Sequence, residues 1–99
     1  MDEAVIKRTP PNDAMAEQAV VGAMINDNET IPQAAEIITA ADFYQPRYAK
    51  LFETIIKMND EHQPVDIITL SDKLTELGVP QEESDIKFLR ELTQSVPIP

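Results

Sequence analysis

The chain has no cysteine, no tryptophan, two glycines and one histidine, and its eight basic side chains face eighteen acidic ones. Without cysteine there is no disulfide and no thiolate metal site, which fits a reducing compartment. With two glycines, neither G-x-x-x-x-G-K-[ST] nor G-x-G-x-x-G occurs, so no nucleotide-phosphate cradle is expected. His62 lies in the polar stretch NDEHQP with no second His or Cys at metal spacing, and is read as a surface side chain, not a ligand or general base. Long apolar runs are also missing. None approaches the ~18 residues of a membrane span, and the start, MDEAVIKRTPPND, has no apolar leader core, so a cytoplasmic location is expected. The net charge of -10 repels phosphate backbones, which excludes direct nucleic-acid binding as the expected role; Lys7 and Arg8 are read as solvated.

What is present points to one modest helical core. The 42% apolar content is mostly aliphatic, and a chain of this length buries roughly 60–65% of its unfolded surface. The expected fold is all-α: a compact irregular bundle of about five short helices plus a single-turn helix, without a sheet. Residues 1–11 read as an N-terminal arm ending in Pro10-Pro11, residues 12–96 as the helical domain, and residues 97–99 as the start of a linker.

Along the chain, Asn12 or Asp13 caps a first helix through Asn26, with Ala16, Val20, Ala23 and Met24 on one side and Val21 and Ile25 widening the stripe. Gly22 in its middle suits a close helix approach. Thr30-Ile31-Pro32-Gln33 reads as a capping box for a second helix carrying Ile31, Ala34, Ala35, Ile37 and Ile38. Thr39 to Asp42 repeats the start signal, predicting a single turn from Ala40 to Tyr44 whose Phe43 and Tyr44 plug between helices. Pro46 opens a third helix over 46–60, buried through Tyr48, Leu51, Phe52, Ile55 and Ile56, with Glu53 and Lys57 as an i,i+4 pair. Ser84 is expected to cap a last helix from Asp85 to about Gln94, with Ile86, Phe88, Leu89, Leu92 and then Val96 inward.

The stretch PVDIITLSDKL mixes two periods. Val65, Ile67, Ile68 and Thr69 favour extended chain, yet Ile67, Leu70, Leu74 and Leu77 are spaced three, four and three apart. Asp66 as N-cap, Val65 as a staple onto Leu70 and Gly78 as a left-handed stop decide for a helix over 67–77. No reactive constellation emerges. Counted from Asp27, the acidic turn after the first helix has Pro32 at the sixth position and Ile38 at the twelfth, unlike a calcium loop, and Glu82, Glu83 and Asp85 read as a solvated helix start. The residues alone therefore describe an acidic helical interaction module without catalytic equipment, and a free-standing adaptor for a basic protein surface is one such reading.

The order of PP (10–11), AEQAVVGAM (16–24), ADFY (41–44), LF (51–52), PVDIITL (64–70) with Leu74, and FLREL (88–92) resembles the N-terminal domain of bacterial replicative helicases of the DnaB type. The resemblance implies an interaction domain ahead of a RecA-like motor in a hexamer, where paired N-terminal domains form a collar that helps to dock a DnaG-type primase and helicase loaders. It places ATP and Mg in the motor domain and none in this one. Met15 and Tyr48 stand where the family commonly has Glu and His, Phe88 replaces the usual Tyr, and no Gly-Gly precedes the last helix. Met15, Glu17 and Phe88 are the candidate partner or subunit contacts that the resemblance implies. SVPIP ends where relatives continue into a helical hairpin, so an excised domain is the expectation.

Overall fold

The computed structural model describes residues 14–94, and they form five α-helices and two 3-10 turns with no strand among them. The helices are α1 (Ala14–Asn26), α2 (Thr30–Ile37), α3 (Pro46–Asp60), α4 (Ile67–Glu76) and α5 (Ile86–Gln94). One 3-10 turn, Ala40–Asp42, precedes α3 and the other, Gln81–Glu83, precedes α5. The expectations for the arm, for a cap at Asn12 or Asp13, for Lys7 and Arg8, for Val96 and for the linker fall outside the described residues.

Helix α3 runs through the middle of the bundle, packed against α1, α2, α4 and the first 3-10 turn, while α1 makes its most extensive contact with α5. Its apolar residues recur at three and four, so one face stays buried along its length: Tyr48, Leu51, Phe52, Ile55 and Met58. Val21 and Met24 of α1, Ile31 of α2, Leu70 and Leu74 of α4, and Leu89 and Leu92 of α5 close around it. The predicted span of α3 matches the observed one at both ends, because Pro46 fits the first turn, where its missing N–H is not needed.

PVDIITLSDKL is helical from Ile67, and its first turn is stabilised locally. Asp66 Oδ1 accepts the Thr69 N–H at 2.9 Å and Thr69 Oγ1 accepts the Asp66 N–H at 3.0 Å, a reciprocal box. Gly78, at φ 85°, ends α4 with paired bonds from Val79 N–H to Leu74 O and from Gly78 N–H to Thr75 O, both 3.0 Å.

Helix α3 stops the same way, but with a histidine in the left-handed position. His62 has φ 62°, its N–H reaches Asn59 O at 3.0 Å, and Gln63 N–H reaches Met58 O at 2.9 Å. A Cβ in this conformation is strained, so His62→Gly is expected to stabilise the domain by about 0.5–1 kcal/mol. A rise in the urea midpoint at constant slope would register it.

Several local expectations are corrected. Thr30 does not cap α2: its hydroxyl donates to Asp27 O at 2.8 Å, and Glu29 takes the N-cap position with no side-chain bond. The turn has already started upstream, since the N–H groups of Thr30 and Ile31 bond the carbonyls of Asp27 and Asn28, which leaves Thr30 inside the helix. The turn predicted for 40–44 closes at Asp42, where the Asp42 carboxylate accepts the Thr39 N–H at 2.8 Å. Phe43 then turns inward onto Phe52, with centroids 5.1 Å apart, whereas Tyr44 is 62% exposed and plugs nothing. Asp85, not Ser84, caps α5: its Oδ1 accepts the Phe88 N–H at 2.8 Å, while Ser84 is buried, with its Oγ 3.5 Å from Val79 O. The stripe of α1 centres on Val21, Met24 and Ile25, with Ala16 exposed. Ile37 and Leu77 sit at helix ends and are exposed, not core. Lys57 pairs with Glu61 at 3.1 Å instead of Glu53.

Candidate functional site

The sequence motifs on α1 are used first to fix the start of α3. Glu17 is half-buried, and its two carboxylate oxygens accept the N–H groups of Tyr44 at 2.7 Å and Gln45 at 3.1 Å. These donors lie immediately before Pro46, so a negative charge meets the positive end of α3. One turn-edge further, Gln18 Nε2 donates to the Tyr48 hydroxyl at 2.7 Å, tying α1 to a side chain that is fully buried. Glu17→Ala is expected to cost about 1–2 kcal/mol of stability, with Glu17→Gln recovering part of it because one acceptor remains. Thermal melts of the two variants check this.

Phe88 comes to the same place from α5. The Arg47 guanidinium lies over two rings, 5.0 Å from the Tyr48 centroid and 5.9 Å from that of Phe88. Phe88 is half-buried against the core, so one side supports the bundle and the other sits under a cation. The structure thus brings Glu17 and Phe88 to the start of α3 from opposite partners. Met15 is not drawn in: its side chain is 78% exposed. Arg47 was not singled out by sequence reasoning, since a charged residue on a helix start carries no sign of the rings that tertiary packing places beside it.

Two open grooves flank α3. One, of about 640 Å³, lies between its first turn and the end of α4, with Arg47 and Lys50 facing Leu77, Val79 and Glu83. The other, of about 540 Å³, lies between α2 and the second half of α3. Among the described residues no group of three or more His, Cys, Asp or Glu side chains stands together as metal ligands do. His62 is exposed, and no helix among them is long and apolar enough to cross a membrane. The surface around the start of α3 and beside α2 is therefore grooved, with charged side chains along the groove edges.

Comparison with known proteins assigns the architecture. The chain is 33% identical over 91 residues to the replicative DNA helicase DnaB of Leifsonia xyli subsp. xyli, covering 92% of this chain and 20% of that protein. It is 34% identical over 97 residues to the replicative DNA helicase DnaB of Geobacillus stearothermophilus, covering 98% and 21%. The chain therefore spans about a fifth of the length of these curated relatives. In three dimensions it matches the crystal structure of the N-terminal domain of DnaB helicase from Mycobacterium tuberculosis with a TM-score of 0.83 at 28% identity, over 89% of this chain and 64% of the other. The DnaB-like helicase N terminal domain profile matches residues 9–99, and with the helical bundle and motif order it shows that the chain belongs to that family.

Proposed function

We propose that this chain serves as a non-catalytic interaction tier of a replicative DNA helicase, contributing to hexamer assembly and to the docking of a DnaG-type primase and a helicase loader in the cytoplasm. The observation that supports the reading is the family match over residues 9–99 in a chain spanning about a fifth of relatives named as replicative helicases. In this reading ATP and Mg act in a RecA-like motor domain, and the parent protein unwinds duplex DNA there. Residues of this chain hold surfaces in place. Met15 offers an exposed apolar contact and Phe88 with Arg47 a rigid amphipathic one. Glu17 acts indirectly, by fixing the start of α3 on which Arg47 sits.

Calorimetric titration with a primase tests the reading. Weak affinity is expected for residues 1–99, because a stable interface needs about 1,200 Å² or more of buried surface, and stronger affinity once the helical hairpin implied by the resemblance is appended. Equal affinity of both would move the contact wholly onto the globular face. No affinity of either would overturn primase docking.

A further inference from the structure

The groove between α2 and α3 combines two surfaces of different chemistry. Its floor is apolar, formed by Ile38 after α2, Ala40 of the 3-10 turn, and Phe52 and Ile56 of α3. Its rim is acidic and exposed: Glu53, Asp60 and Glu61. Lys57 is the basic side chain lining it, and its ammonium is held by Glu61 at 3.1 Å. Glu53 and Asp60 have no basic partner among the described residues. Positions 52, 56 and 60 and positions 53, 57 and 61 each repeat at four, so the groove follows two turns of α3, about 12 Å.

We propose that this groove docks a basic amphipathic helix of a partner protein, with apolar anchors on the partly exposed Ile38, Ala40 and Ile56 and lysine or arginine side chains on Glu53, Asp60 and Glu61. The proposal deepens the interaction-domain reading and rests on it. Charge complementarity selects the occupant. The carboxylates of Glu53 and Asp60 on the rim and the net charge of -10 favour a basic partner over an acidic one. The mode is helix-in-groove, in which anchors three and four residues apart fill an apolar furrow. No sheet edge exists among the described residues for strand addition.

The test titrates a leucine–lysine amphipathic helix peptide into isotopically labelled protein, with a leucine–glutamate peptide as control. Amide shifts are expected at the end of α2, the first 3-10 turn and the second half of α3, with α5 unmoved and the acidic peptide silent. Reversing Glu53→Lys together with Asp60→Lys, both exposed positions, is expected to weaken binding about tenfold or more with an unchanged thermal melt. Shifts spread over the whole acidic surface, undiminished affinity in the double variant, or groove shifts that grow with protein concentration without peptide would each overturn the proposal. Primase separates the two readings. A double variant with full primase affinity sinks the groove and spares the interaction domain. Groove binding of the basic peptide without any primase affinity supports the groove and sinks primase docking.

Discussion

Replacing Asn28 with alanine is expected to lower the unfolding free energy by about 2–4 kcal/mol, read from urea titrations followed by helical circular dichroism. The effect is large for a surface-level residue type because both amide donors and the amide oxygen are engaged. Its Nδ2 donates to Met24 O at 3.1 Å and to Val65 O at 2.9 Å, and its Oδ1 accepts the Val65 N–H at 2.9 Å. Met24 O is one of the carbonyls left over at the end of α1, and Val65 is buried at 3% exposure. Alanine strands these groups where water reaches them poorly, so the loss includes their desolvation as well as the bonds. Asn28→Asp discriminates the cause. It keeps the acceptor for Val65 N–H but turns a carboxylate oxygen toward two carbonyls, and a loss at least as large as that of alanine is expected. A near-neutral Asn28→Asp would show that the donated bonds contribute nothing.

Tyr48→Ala is expected to cost about 3–5 kcal/mol, the range for emptying a fully buried aromatic site. Tyr48 has 0% exposure, anchors the first turn of α3 in the core, and supports Arg47 on its ring. Its hydroxyl is the acceptor for Gln18 Nε2 at 2.7 Å. Tyr48→Phe separates the parts: about 1 kcal/mol is expected for the lost bond, with the packing retained. For a domain whose total stability is on the order of 5–10 kcal/mol, the alanine variant approaches the unfolding threshold at ordinary temperature, and the phenylalanine variant does not. Equal losses in the two variants would assign the whole effect to the hydroxyl.

Features set by short-range chemistry were legible in the chain. Pro46 marked the start of α3, and Asp66 and Gly78 bracketed α4 despite its β-branched first turn. Where two local partners competed, the choice was not legible. Ser84 and Asp85 both suit a cap, and only the burial of Ser84 decides between them. Lys57 has an i,i+4 acidic neighbour on each side, Glu53 and Glu61, and the structure pairs it with Glu61 although the Glu-before-Lys order favours Glu53. Ile37 and Leu77 were misplaced for a common reason. An apolar side chain near the end of an element satisfies the periodic pattern yet runs past the edge of the core.

The uses of the candidate contact residues were not legible in the sequence. Met15, Glu17 and Phe88 came from motif positions, but a motif does not distinguish a residue that meets a partner from one that holds the fold. Glu17 meets donors 27 and 28 positions away, and Asn28 meets one 37 positions away. Such pairings leave no periodic trace. The groove between α2 and α3 has the same character, since Ile38, Ala40 and Ile56 look like ordinary core positions until the short α2 leaves them partly uncovered.

The bond from Val65 N–H to Asn28 Oδ1 has a consequence for hydrogen exchange. Val65 precedes α4 and belongs to no helix, yet its amide proton is buried and held by a side chain anchored in another element. It is released only when the joint between the end of α1 and the start of α4 comes apart. In deuterated solvent this single amide, flanked by exposed neighbours Pro64 and Asp66, should exchange on the timescale of the central α3 amides and so report cooperative opening from outside every helix.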